Sequence, residues 1–205
     1  ERFTRAFAGC GFRPEAWFPC YGMAETTLLA SGRHGLKTTS IGYQALRAHR
    51  FQPSADTETT ARRAVSCGTP PAQGRIAILS LETEQAAAPG EIGEILISSG
   101  SVTRGYWQKP ELSAARFQVS LEGDPAVYLR TGDLGAWHDQ ELYVLGRLKE
   151  MLILRGHNYY PGDIENSAAA AHPSLEPGAV AALGIAEETG ERLVLLAEVK
   201  RTHLQ

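Results

Sequence analysis

Apolar and polar positions along this chain alternate at the period of a strand more often than at that of a helix, so short strands and tight turns dominate its expected elements. Residues 75–79 and 94–97 alternate in this way, with Pro-Gly and Gly punctuation between them, and read as half-buried strands. Residues 128–134 read as a strand that breaks at Gly132, and 142–145 as its neighbour across a turn at Asp139-Gln140. A left-handed Gln140 in that turn costs on the order of 1 kcal/mol. Residues 151–154 form another apolar run, closed by Arg155-Gly156, and 179–183 and 193–199 form two more around a polar turn with Gly190. Trp17, Phe18 and Cys20 read as a short buried strand.

Helical spacing is confined to short stretches. Phe3 and Phe7 share one face of a helix over 1–8 that Gly9 and Gly11 end. A second helix is expected from Gly22 to Ala30, and a third over 110–117 with Leu112 and Phe117 inward. Pro161 opens a fourth, with Asp163 and Glu165 at its positive end and Pro173 beyond its last turn. Residues 32–66 show no sustained period except helical character at 44–50, and read as a long surface excursion.

With 205 residues and 43% hydrophobic content the chain can bury a core and is globular. Its 20 Lys and Arg are scattered and balanced by 23 Asp and Glu, so no nucleic-acid partner is expected. Cys10, Cys20 and Cys67 show no CxxC spacing and read as reduced core residues of a cytoplasmic protein, a reactive lone thiol remaining open. No apolar run approaches a membrane span and no signal segment opens the chain. Glu1 rather than Met at the first position suggests a fragment.

Three segments carry chemistry. Tyr21-Gly22-Met23-Ala24-Glu25 follows a strand, where ligands of α/β proteins gather and a helix amino terminus favours phosphate, although such a pentapeptide is also an ordinary structural turn. Tyr128-Leu129-Arg130-Thr131-Gly132-Asp133-Leu134 ends a strand on an acid, which alone is most simply a residue capping its own turn. Residues 146–165, GRLKEMLILRGHNYYPGDIE, place Arg147 and Lys149 at a crossover between two bodies, and Lys149 alone could equally be a solvated surface lysine.

In this order the three segments resemble the motifs of the adenylate-forming enzymes, which include acyl-CoA synthetases, peptide-synthetase adenylation domains and luciferases. The pivot lysine and Asn158-Tyr159-Tyr160-Pro161 followed by Asp163-Ile164-Glu165 make the chain most like the fatty acyl-AMP ligases. Gly93-Glu94-Ile95-Leu96-Ile97 with Gly105-Tyr106-Trp107 is similar to a structural motif of the same superfamily, whose expected role is barrel packing. The resemblance implies the α/β and β-barrel portion of a large amino-terminal domain, followed by the start of a small α+β carboxy-terminal domain. Residues 1–146 would be the later part of the large AMP-binding domain, with a family-type insertion at about 33–66 and a β-rich subdomain at about 67–146. Residues 147–205 would be the hinge and the opening of the small domain.

The resemblance also implies roles. Tyr21 would lie against adenine, backbone at Gly22, Met23 and Ala24 would meet the adenylate, Asp133 would hold both ribose hydroxyls, and Arg147 the ribose side of the hinge. Glu25 would hold Mg²⁺, and Lys149 would be the catalytic pivot. Many relatives carry a hydroxyl residue where Ala24 stands, which removes a side-chain contact to the α-phosphate. The implied reaction joins a fatty acid to ATP as acyl-AMP and passes the acyl group to the phosphopantetheine thiol of an acyl carrier protein, or of a carrier domain in a polyketide or peptide synthase. The family's Gly/Ser/Thr-rich phosphate loop and its carboxy-terminal lysine do not occur in these residues, so the chain alone is expected to be inactive. An acyl-CoA ligase, an amino-acid adenylation domain and a non-catalytic adenylate-binding module remain alternatives. The basic residues Arg33, Lys37, Arg47, Arg50, Arg62 and Arg63 could meet an acidic carrier or simply be solvated.

Overall fold

The computed structural model describes residues 2–55, 61–187 and 190–203. Helix α1 (Arg2–Phe7) runs into a 3₁₀ turn, Ala8–Cys10, which Gly11 ends at φ 83°. Phe3, Phe7, Phe12 and Trp17 gather ring against ring beside it. Strand β1 (Cys20–Tyr21) pairs with β2 (Ser31–Gly32). The buried strand expected at 17–20 is therefore only a two-residue element, and Phe18 is 44% exposed. Cys10 and Cys20 are exposed and so lie outside the core, whereas Cys67 is half-buried and packs against it.

The helix expected after Tyr21 does not form. A 3₁₀ turn covers Ala24–Thr26, and Thr27 and Leu28 then take φ of 56° and 88°. Left-handed backbone stops a right-handed helix, and adjacent β-branched residues favour one weakly. The reversed chain lets the Ala30 N–H donate to the Tyr21 carbonyl at 2.8 Å, which makes the motif a compact loop between paired strands.

The segment read as a surface excursion is folded. Strand β3 (Thr38–Gly42) leads into helix α2 (Tyr43–Arg47) and pairs with β4 (Ala61–Val65). Ile41, Leu46, Phe51 and Ala64 pack against Ile92, Leu134, Ala136, Tyr143 and Leu145. Each piece supplies only one or two of these anchors, too few to set up a period.

Strands β5 (Arg75–Leu79) and β6 (Gly93–Ser98) precede helix α3 (Pro110–Phe117), the short β7 (Val119–Ser120), the long β8 (Val127–His138) and β9 (Glu141–Arg147). They form one antiparallel sheet in the order β5-β6-β8-β7, with β9 also on β8. Among the described residues the sheet stays open, which corrects the expected barrel portion to a sheet-rich α/β fold. Strand β6 is buried on both faces: Ile95 and Ile97 pack with Tyr21, Ile78 and Leu142, while Leu96 packs with Leu79, Leu121 and Tyr128. Asp139 and Gln140 take φ of 48° and 61°, the primed turn whose twist suits a hairpin. Phe117 is buried as expected, but Leu112 is 44% exposed and faces the cleft described below.

Beyond β9 come a hairpin of β10 (Leu152–Leu154) and β11 (His157–Tyr159), helix α4 (Pro161–Ala171) and the paired β12 (Leu175–Glu187) and β13 (Gly190–Val199). Glu165 Oε1 accepts from the Ala182 N–H at 3.0 Å, tying α4 to β12. The β3–α2–β4 segment reaches this region directly. Arg62 donates to the Leu145 carbonyl at 2.7 Å and pairs with Asp163 at 3.4 Å, and Arg47 lies 4.7 Å over the Tyr159 ring. Asn158 donates to the Arg47 carbonyl at 3.3 Å.

Burial raises the Asp163 carboxyl above its ordinary 3.8, and Arg62 partly opposes that rise. A raised folded-state value means Asp163 favours folding while protonated and opposes it once ionised, most of all without its cation. Arg62→Ala should therefore destabilise by about 2 kcal/mol at neutral pH, with the loss shrinking as pH falls through the Asp163 titration. Thermal melts at several pH values check this, and a pH-independent loss would contradict it. No helix among the described residues is long and apolar enough to cross a membrane.

Candidate functional site

Strand β8 opposes β6 with an irregularity: Leu96 faces Arg130 and Glu94 faces Leu134, so Thr131, Gly132 and Asp133 bulge out of the ladder. Gly132 adopts φ 77°, a conformation that side chains resist. Glu94, 3% exposed, holds the bulge from inside, accepting from the Gly132 N–H at 2.9 Å and from Arg130 at 2.8 and 2.6 Å. Thr131 Oγ1 donates to the Ile95 carbonyl at 2.8 Å and accepts from the Asp133 N–H at 3.0 Å. The Gly132 and Asp133 N–H groups and the Thr131 hydroxyl are thus satisfied within the bulge, and the Asp133 side chain faces the cleft.

Asp133 Oδ1 lies 3.2 Å from Arg147 Nε, and its Oδ2 accepts from the Tyr21 hydroxyl at 2.6 Å. Register explains the first contact, since Asp133 and Arg147 are directly opposed on β8 and β9. Tyr21 is 9% exposed and packs among Ala30, Ile78 and Ile95. Burial, and then the bond to Asp133, push its phenol far above the ordinary range, so the hydroxyl remains a donor. Its ring is in the core rather than on offer for stacking, and its contribution here is to aim Asp133.

Gly22, Met23, Ala24 and Glu25 face the bulge across a cleft of about 800 Å³, whose other walls include Arg116, Asp133, Arg147 and Lys149. A Cβ on Gly22 would stand 1.4 Å from the Leu28 carbonyl oxygen, so only glycine fits beneath the reversed chain. Gly22→Ala should cost about 3 kcal/mol through forced backbone movement, read as a lowered melting temperature. A melt matching the unaltered protein would contradict that.

The carbonyl of Glu25 accepts from the Thr103 N–H at 2.8 Å, and its Oε1 accepts from the Tyr106 hydroxyl at 2.7 Å. Burial, then the bond to Glu25, raise the Tyr106 phenol. No cluster of three metal-ligating side chains occurs among the described residues. One cleft carboxylate still suits Mg²⁺, which keeps several waters and takes its remaining oxygens from phosphates.

The structure therefore brings all eight expected site residues to one place: seven line the cleft, and Tyr21 reaches it through Asp133. Glu94, Tyr106 and Arg116 were not expected there. Glu94 had a sequence signal, since a lone charge inside an apolar strand needs a buried partner. The Tyr106 partner is 81 residues away and leaves no local trace. Arg116 donates to the Arg130 and Thr131 carbonyls at 3.4 Å from α3, a helix whose inward face had been assigned to Leu112.

The sequence profile of the AMP-binding enzyme family matches residues 1–107, more than half of the chain. The chain belongs to that family. Among curated AMP-binding relatives, it is 38% identical to the medium-chain-fatty-acid–[acyl-carrier-protein] ligase JamA of Moorena producens, over 99% of this chain and 35% of JamA. It is 37% identical to the long-chain-fatty-acid–AMP ligase FadD26 of Mycobacterium tuberculosis, over 98% of this chain and 35% of that protein. The chain thus spans about a third of the length of these relatives. Among solved structures, one from work on the fatty acyl-adenylate ligases of E. coli and L. pneumophila superposes with a TM-score of 0.81 at 29% identity, covering 98% of this chain and 35% of that one. The fatty acid AMP ligase of Legionella pneumophila gives 0.68 at 37% identity, over 99% and 36%.

Proposed function

We propose that this AMP-binding chain is part of a fatty acid–AMP ligase, supplying its nucleoside clamp and metal carboxylate. The observation that carries the reading is the connected row Tyr21–Asp133–Arg147 facing Glu25 across one cleft. Asp133 accepts one hydrogen bond from Tyr21 on Oδ2 and pairs ionically with Arg147 through Oδ1, and each carboxylate oxygen can still accept another hydrogen bond, as two ribose hydroxyls require. The amide groups of residues 22–24 would meet the α-phosphate, and Glu25 would hold Mg²⁺, which when bound neutralises phosphate charge. Arg147 and Lys149 add positive charge at the same mouth.

In the first half-reaction the fatty acid's carboxylate oxygen attacks the α-phosphorus of ATP. A new P–O bond forms, the α–β bridging bond breaks and pyrophosphate leaves. In the second, a phosphopantetheine thiol of a carrier protein or synthase carrier domain attacks the acyl carbon. The C–S bond forms, the C–O bond to AMP breaks, and the thiol proton passes to solvent.

Residues 1–146 are then the later part of the large AMP-binding domain, with 33–66 as its insertion, and 147–205 the hinge and the first part of the small domain, pivoting at Lys149. The contacts of Arg62, Arg47 and Asn158 support a restraint of the hinge by the insertion, which disfavours coenzyme A as acceptor. The contacts of Arg62 and Arg47, and the pairs of Arg33 and Lys37 with Glu141, occupy four of the six basic residues that a carrier dock would need.

Fatty-acid-dependent ATP–pyrophosphate exchange by the longest polypeptide its gene encodes tests the reading, with carrier protein and coenzyme A compared as acceptors. Exchange with carrier acylation is expected from that polypeptide, and none from the 205-residue chain alone. Preference for coenzyme A would instead favour an acyl-CoA ligase, and nucleotide binding without exchange a non-catalytic module.

A further inference from the structure

Tyr106 belongs to a segment whose sequence signal pointed to packing alone, yet its hydroxyl reaches Glu25 on the cleft wall. The contact is built from several sides. Gly105, at φ 147°, places the Tyr106 N–H 2.8 Å from Ser113 Oγ on α3, and a Cβ on Gly105 would stand 2.7 Å from that same oxygen. The Tyr106 ring packs edge-on against Phe117, 5.2 Å between centroids, and Phe117 is buried. From the other side, the Thr103 N–H holds the Glu25 carbonyl and Thr27 Oγ1 donates to the Ser101 carbonyl at 2.9 Å. Both ends of the Tyr106–Glu25 bond are thus anchored by contacts within the chain.

We propose that Tyr106 makes Glu25 a one-oxygen ligand and so selects a small octahedral divalent cation over a larger one. This rests on the reading of Glu25 as the metal carboxylate. With Oε1 accepting from a fixed phenol at 2.7 Å, only Oε2 is fully open to a cation. Mg²⁺ and Mn²⁺ tolerate single-oxygen carboxylates within an octahedron, whereas Ca²⁺ readily takes both oxygens of one carboxylate in a larger, looser shell. Tyr106 is therefore a positioning residue acting through Glu25.

The test uses the longest polypeptide the gene encodes, with ATP and Mn²⁺, reading the water-proton relaxation enhancement of the protein–ATP–Mn²⁺ complex while Ca²⁺ is titrated in as competitor. Tyr106→Phe keeps the ring on Phe117 and removes only the hydroxyl. The Ca²⁺ concentration that displaces half of the Mn²⁺ should fall about tenfold in this variant, because the second carboxylate oxygen is released. Glu25→Gln should abolish the enhancement. Unchanged Ca²⁺ competition in Tyr106→Phe, with the enhancement lost in Glu25→Gln, overturns the role of Tyr106 alone. Enhancement retained in Glu25→Gln overturns the metal reading of Glu25, and this proposal with it. A structure of the unaltered protein with ATP and Mg²⁺ in which both Glu25 oxygens touch the cation overturns it without recourse to any variant.

Discussion

Replacing Asp133 by alanine should weaken AMP binding by about a hundredfold or more, because two hydrogen bonds to a charged acceptor are lost at roughly 1.5–3 kcal/mol each. The same change strands the Tyr21 hydroxyl, whose residue is 9% exposed, and should also lower stability by about 1–3 kcal/mol. Asp133→Asn separates the two effects. Its amide oxygen can still accept from Tyr21, so the fold keeps most of its stability, while the loss of charge and of one acceptor weakens the ribose grip. Calorimetric titration with AMP and a thermal melt of each variant measure both quantities. Wild-type affinity in Asp133→Ala would remove the nucleoside clamp from the proposed function.

The second large effect is expected at Glu94, which touches no proposed ligand. Truncation to alanine leaves the Gly132 N–H without its acceptor and Arg130, 31% exposed, with only the more distant Glu84 at 3.7 Å. Breaking a buried pair from one side costs about 3–5 kcal/mol, and the partial hydration of Arg130 places this case near the lower end. For a chain of this size that is a fall in melting temperature of about 6–12 °C. Nucleotide affinity should fall as well, since the bulge is what turns Asp133 outward. Glu94→Gln keeps an acceptor for Gly132 and should show a smaller loss of both. A melt within about 2 °C of the unaltered protein would mean the bulge holds without Glu94.

These two residues also show what was legible in advance. Asp133 stood in a motif whose order and residue types matched a known pattern, but its partner did not follow from the turn at Asp139-Gln140, because an irregularity between Leu134 and Gly135 shifts the register by one and sets Arg147, not Gly146, against it. The helix at Pro161 was equally legible, because proline, the acids and the following Pro173 are local signals. What failed were inferences about backbone direction and depth. The motif after β1 read as a helix start, yet Thr27 and Leu28 take left-handed backbone, and the Ala30 N–H returns to the Tyr21 carbonyl. The burial of Tyr21 depends on Ile78, Ile95 and Leu142, all far away in the chain. Residues 38–47 and 61–65 read as part of a surface excursion because their anchors are few, but those anchors insert into a core to which β8 and β9 contribute.

Asp133 and Arg147 form the terminal rung of the β8–β9 ladder, and the chain leaves the sheet at the very next residue. If the proposed pivot at Lys149 operates, the reorientation begins outside that rung, and the proposed grip on the sugar would stay with the sheet. Retention of a reactive adenylate would then be independent of where the moving lobe happens to be, and the intermediate need not be released and recaptured between the two halves of the reaction.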